Sequence, residues 1–311
     1  MAVTPLRRSR HGVLRAGWSV LELITTISII GLGAALTSGA VMKVRAVSTR
    51  MEVESWKFQR KFGDVPARKA PVKVLFLGNS YIDANDLPGA VVALAEAHNE
   101  TPKLITDQVT SGAATLESLW DAGSAANKIR SKDWDIVVLQ ERRGRPVDRT
   151  GPDGFGGDYG RNTLFVPYAK KFDQVIRDRG AITMFLMTWK VPALAGTTQD
   201  LWTDSIDALA KDLHAEVSPA GRALEIVLRQ KPTFPFYADA YPGHPTPAGT
   251  YLIACCFYAA IYGKDPVGLP PCVITAHGAF VGVNPADARL VQSAAWDAVV
   301  ETKKRIGLTA R

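Results

Sequence analysis

Two hydrophobic rhythms run through residues 72–306 of this chain. Short, nearly continuous apolar runs rich in β-branched residues occur at Val72–Leu77, Lys103–Val109, Trp134–Gln140 and Ala181–Trp189, with a shorter one at Glu216–Pro219. They predict five buried strands. Apolar residues at three- and four-residue spacing predict helices over Leu87–His98, Ala114–Arg130, Leu164–Arg179, Gln199–His214, Ala220–Leu228 and Pro247–Tyr262, and a last helix from Pro285 to about Ile306. Asp178-Arg179-Gly180 supplies a helix stop. Alternating strands and helices predict an α/β fold with a parallel sheet covered on both faces. The expected architecture is a flavodoxin-like three-layer α/β/α sandwich with five parallel strands in the order 2-1-3-4-5.

The pattern upstream is different. An apolar run extends from Trp18 to about Val44, long enough to cross a bilayer, which takes about 20 residues as a helix. The basic stretch Arg7–Gly17 lacks acidic residues. It should stay cytoplasmic and place the rest of the chain outside. Residues 43–63 read as a polar helical continuation, and Gly63–Pro71, with two prolines, reads as a linker. The expected organisation is a leader over 1–17, a transmembrane helix and its continuation over 18–62, a linker over 63–71 and a globular domain over 72–311. The expected location is the membrane, anchored through residues 18–44, with the globular domain in the periplasm or at the cell surface.

Glu22 lies inside the apolar run, where an ionisable group is costly and calls for a purpose. Gly17 ends the basic leader and Glu22 is the fifth residue after it. This arrangement resembles the leader and first helix of type IV pilins and pseudopilins, which are cleaved after such a glycine and carry Glu at the fifth mature position. Trp18 stands where that family commonly has Phe. The resemblance covers about residues 7–45. It implies cleavage after Gly17, with a prepilin peptidase as partner; the plainer alternative is an uncleaved anchor.

Charge narrows the partners. The formal net charge is +7, yet residues 1–70 hold 12 of the 37 Lys and Arg and only 4 of the 30 Asp and Glu. The domain itself is near neutral, which argues against a nucleic-acid surface. Cys255 and Cys256 fall in an apolar helical pattern and read as buried thiols, while Cys272 is left open to a disulfide. No Cys-x-x-Cys or His/Cys spacing suggests a metal, and no metal or organic cofactor is expected.

The first strand ends abruptly in Gly78-Asn79-Ser80. Ligands of open α/β sheets sit beyond the carboxyl ends of strands, so Ser80 is placed for chemistry. A serine needs a base to take its proton, and histidine is the usual one. Of five histidines, His11 lies in the leader, His98 and His214 end helical patterns, and His277 has no acidic residue near it in sequence. His244 lies in a Pro/Gly-rich loop before a helix, with Asp239 close by. It is the candidate base, and Asp239 the candidate orienting carboxylate.

These residues resemble the SGNH/GDSL hydrolases over roughly residues 72–263. The resemblance implies Ser80 as nucleophile, His244 as base and Asp239 as its acidic partner. It also implies an oxyanion hole from the Ser80 backbone N–H, Gly112 after the second strand, and a residue after the third. Three departures stand out. Asn79 replaces the commoner Asp, five positions rather than three separate Asp239 from His244, and the usual Gly-x-Asn-Asp after the third strand is absent. Gln140, whose amide can donate, is the candidate replacement for the missing Asn. Neither a Gly-x-Ser-x-Gly elbow nor a phosphate-binding loop is present.

A long segment from Arg142 to Asn162, with five arginines and three aspartates, should lie over the same end of the sheet. It is expected to border a cleft for polar substrates. The whole points to a serine esterase acting on O-acyl groups of carbohydrate or other polar esters outside the cytoplasm. Three alternatives use the same residues differently: an O-acyltransferase, a non-catalytic carbohydrate-binding module with a decayed site, and a pseudopilin-like assembly subunit.

Overall fold

A computed structural model describes residues 70–142, 161–191, 198–238 and 243–308. The predicted leader, the span 18–44 with Gly17 and Glu22, most of the Arg142–Asn162 segment, and Asp239 lie outside the described residues. The chain divides into two units, Met1–Glu52 and Val53–Arg311, and every described residue belongs to the second. Among the described residues, no helix is long and apolar enough to cross a membrane.

The strands of the main sheet are β1 (Val72–Gly78), β2 (Leu104–Thr110), β3 (Ile136–Leu139), β4 (Ile182–Leu186) and β5 (Glu216–Ser218). They lie in the order β2-β1-β3-β4-β5, every described pairing parallel. This is the order the alternating pattern predicted. β1 is an interior strand, with Val72 facing Leu104 on one side and Val74 facing Ile136 on the other. A strand paired on both edges and covered on both faces must be apolar almost throughout, and only Lys73 in β1 is less than buried.

The helices are α1 (Ser80–Asp83), α2 (Leu87–Ala97), α3 (Leu116–Asp121), α4 (Ser124–Ser131), α5 (Val166–Asp178), α6 (Gln199–Leu213), α7 (Ala220–Gln230), α8 (Pro247–Tyr262) and α9 (Pro285–Arg305). Successive strand residues point to opposite faces, and this divides the core in two. Val74, Phe76, Val138 and Met184 pack with α2, α7, α8 and α9. Leu75, Leu77, Val137 and Phe185 pack with α3, α4, α5 and most of the apolar stripe of α6. The result is the expected three-layer sandwich. α8 is buried along its whole length from Gly249 to Ile261, because it packs against α2, α9 and a small hairpin. That explains a helix apolar on every side.

Two details differ from the pattern. The helix expected over Ala114–Arg130 is two, α3 and α4, broken at Gly123, whose φ of 74° leaves the helical region. Thr115 and Ser118 form a reciprocal capping box that starts α3. An antiparallel hairpin, β6 (Cys272–Ile274) with β7 (Phe280–Gly282), had no counterpart in the hydrophobic pattern. Its strands have three residues each, too few for a period to register. All three cysteines are free. Cys255 and Cys256 are fully buried in α8, and burial pushes both thiols above their usual range. The disulfide left open for Cys272 does not form among the described residues.

Candidate active site

Strand order reverses direction around β1 and β3, and the crevice of such a sheet lies beyond the carboxyl ends of those strands. β1 delivers Gly78-Asn79-Ser80 there, and β3 delivers Gln140 and Glu141. Ser80 opens α1, where a backbone N–H has no acceptor within the helix. Asn79 caps α1 by accepting from Tyr81 N at 3.1 Å.

Asn79 is more than a cap. It is 3% exposed, its backbone N–H donates to Gln140 Oε1 at 2.8 Å, and its Nδ2 donates to the Ala114 carbonyl at 2.9 Å. An aspartate could not make the last bond, because a carboxylate has no donor. The departure Asn79 at this position therefore ties the nucleophile's turn to the loop after β2. Gly78 is forced by the same contacts. A Cβ there would overlap the Gln140 amide and come within 2.8 Å of Ile82 Cδ1.

The base arrives from the far end of the sequence. His244 Nε2 lies 2.7 Å from Ser80 Oγ, across 164 residues of chain. Its segment is held by an extended pairing: Ala238 N donates to His244 O at 2.9 Å, and Thr246 N donates to Phe236 O at 2.8 Å. Gly243, with φ 95°, makes the turn into it, a conformation that favours glycine. The Gly243 carbonyl accepts from Trp189 Nε1 at 2.9 Å. Tyr81 stacks on Trp189 at 4.8 Å and meets the His244 ring edge-on at 5.1 Å. Thr246 then caps α8 by accepting from Gly249 N at 3.1 Å.

Gly112 follows β2 in an exposed turn, and a Cβ at its position would meet nothing within 4 Å. Open space beside its backbone suits a wall of a cleft. Gln140 is fully buried. Its Oε1 accepts from Asn79 N and its Nε2 donates to the Glu141 carbonyl at 2.6 Å. These two backbone partners fix the amide's orientation and give Gln140 a scaffolding role; one of its two Nε2 hydrogens remains for another acceptor. Glu141, 3% exposed, accepts from Leu116 N at 3.2 Å and Arg142 N at 2.6 Å, so it anchors the start of α3.

Of the site residues read from sequence, Ser80, His244, Gln140 and Gly112 fall at the carboxyl end of the sheet, and Ser80 and His244 are in hydrogen-bond contact. Asp239 lies outside the described residues. Sequence reasoning noted Asn79 only as a replacement for the commoner Asp, without a role, and passed over Tyr81 and Trp189. A capping signal was present at Asn79, a residue type favoured just before a helix, but the α1 helix of four residues carried no period to announce it. Trp189 and Tyr81 sit in apolar patterns indistinguishable from ordinary core. Among the described residues, no group of three or more His, Cys, Asp or Glu could hold a metal ion.

No protein-family model matches the chain, and no curated protein matches it. Solved structures do. A DUF4886-family protein from Bacteroides uniformis superposes with a TM-score of 0.53 at 18% identity, over 74% of this chain and 95% of that one. At that identity the likeness establishes the fold. An acetyl-xylooligosaccharide esterase from Geobacillus stearothermophilus gives a TM-score of 0.48 at 16% identity, over 66% of this chain and 100% of its own. A protein from Slackia heliotrinireducens assigned to the SGNH hydrolases gives 0.46 at 21% identity, over 61% and 99%.

Proposed function

We propose that this protein is a serine ester hydrolase of the SGNH type. The observation that carries the proposal is the 2.7 Å contact between Ser80 Oγ and His244 Nε2 at the carboxyl end of β1. A hydroxyl and an imidazole nitrogen at that distance can exchange a proton in the direction nucleophilic catalysis needs. Ser80 Oγ attacks an ester carbonyl while His244 takes its proton. The imidazolium then gives that proton to the departing alcohol oxygen, leaving an acyl-serine. Water, deprotonated by His244, attacks the acyl group, releases the carboxylic acid and restores Ser80. The backbone N–H groups of Ser80 and Gly112, with the remaining Gln140 amide hydrogen, are the donors offered to the oxyanion. Asp239 is assigned to orient His244.

The substrate class follows from the setting. A near-neutral domain behind a basic, apolar N-terminal segment suits an extracytoplasmic enzyme tethered at the membrane, processed after Gly17 in the manner of pseudopilins. The Arg142–Asn162 segment follows β3 in sequence and carries five arginines and three aspartates, a composition that favours polar substrates such as O-acylated carbohydrate. The test is hydrolysis of p-nitrophenyl acetate and labelling by a fluorophosphonate with the full-length protein, beside Ser80→Ala and His244→Ala. Labelling should vanish in Ser80→Ala, and kcat should fall at least ~10⁴-fold in both variants, as losses of nucleophile or base do elsewhere. A folded wild-type protein that neither labels nor turns over would rule the hydrolase out in favour of a binding or assembly role.

A further inference from the structure

The serine and the histidine belong to segments that meet only in the folded protein, so something must fix their separation. Ser80 is carried by β1 and α1, and His244 by the loop before α8. The segment leaving α1 is a single 3-10 turn, Ala84–Asp86, and it contains two consecutive non-glycine residues in the left-handed region: Asn85 at φ 57° and Asp86 at φ 52°. Such a conformation is uncommon outside glycine and is concentrated at sites where surrounding contacts over-determine it.

Those contacts are present here. Asn85 Nδ2 donates to the Pro245 carbonyl at 3.0 Å and to Thr250 Oγ1 at 3.0 Å. Its two amide hydrogens thus bind the residue next to His244 and the first turn of α8. A peptide carbonyl can only accept, so the amide orientation is set. Asp86 holds the other side of the turn, accepting from Gly89 N at 3.2 Å and facing His277 Nδ1 at 2.9 Å. Gly243 is fixed from β4's side by Trp189, and the imidazole packs on Tyr81. Asn85, on the nucleophile's own segment, thus reaches the backbone beside the base through a hydrogen bond.

We propose that Asn85 is a positioning residue for the hydrolytic site: it sets the distance and angle between Ser80 and His244 without touching substrate. This rests on the esterase reading above. Asparagine suits the post on two counts, since it tolerates left-handed backbone and offers two donors on one nitrogen. Glycine would keep the backbone and lose the donors. Aspartate would keep the shape and set a carboxylate against the Pro245 carbonyl.

The experiment measures kcat and KM for p-nitrophenyl acetate, and Tm, for full-length wild type, Asn85→Gly, Asn85→Asp and Asn284→Ala. Asn284 caps α9 through Ala286 N and serves as a control for lost stability alone. Asn85→Gly should lower kcat about tenfold with KM within about twofold, and Asn85→Asp should lower it about 100-fold, the scale on which a displaced catalytic group loses rate. Asn284→Ala should lower Tm and leave kcat unchanged. If Asn85→Gly fails to fold, Asn85→Asp carries the same comparison. An active wild type whose kcat is untouched by either substitution at 85 overturns the positioning role alone. So does a kcat loss that Asn284→Ala reproduces at equal Tm. A folded wild type without activity overturns the esterase reading and this proposal together.

Discussion

Two histidines sit at opposite poles of the same helix, and their neighbours give them different work. At one pole His244 leads into α8 and faces a serine hydroxyl at 2.7 Å. At the other, the last turns of α8 bring Tyr258 against His98 and Glu100. There His98 Nδ1 lies 2.9 Å from Glu100 Oε1, Tyr258 donates to the same oxygen, and Lys264 Nζ lies 2.6 Å from Oε2. Glu100 is only 2% exposed. Burial alone would push its carboxyl up, but the hydrogen bonds from His98, Lys264 and Tyr258 outweigh burial and hold it below the usual range. On the proposed reading, the buried carboxylate of Glu100 makes His98 a structural clamp, whereas the Ser80 hydroxyl offers His244 a proton to take.

The sharpest way to break this contrast is to make one substitution at both poles. His244→Gln should remove at least ~10⁴ from kcat and leave Tm nearly unchanged. His98→Gln should leave kcat within about twofold and lower Tm by a few degrees, on the scale of about 1 kcal/mol for one hydrogen bond. If His98→Gln abolished turnover at temperatures where the protein is folded, the division of labour would be wrong.

Glu100 gives the next largest effect, on stability. Glu100→Ala leaves the Tyr258 hydroxyl and Lys264 without their acceptor and should cost about 1–3 kcal/mol in denaturant unfolding. Its pH dependence has a definite sign. A carboxyl held low in the folded state stabilises above its unfolded pKa, and that contribution is lost as pH falls through the folded value. Wild type should therefore lose stability below the ordinary carboxylate range, and Glu100→Gln should flatten that part of the curve. The smallest effect belongs to Lys264→Ala. Lys264 is more than half exposed, so its removal should cost no more than about 1 kcal/mol, less at high salt.

The sheet was legible because five apolar runs could be nothing but buried strands once helices separated them, and their order followed. Ser80 and His244 were singled out by place, one at the end of a strand and the other in a Pro/Gly-rich loop beside an acidic residue, and the fold brings them within 2.7 Å of each other. What escaped the sequence depends on contacts across great chain distance. Asn85 and Pro245 are 160 residues apart, and His277 finds Asp86 across 191. Neither pairing leaves a trace in local periodicity. Gln140 illustrates the limit from the other side. Its donor amide suggested a place in the oxyanion hole, yet the fold also commits both of its ends to the backbone of Asn79 and Glu141. Only packing could reveal that demand.

α8 carries a consequence for synthesis. Its buried surface is covered by α2 and by α9, which lie on either side of it in the sequence. A ribosome releases α8 before α9, so an uncharged run from Thr246 to Tyr262 emerges with its α9 covering still untranslated. Such a surface invites aggregation until its partner arrives. Chains that terminate near Gly282 should therefore appear in the insoluble fraction rather than as a smaller folded domain.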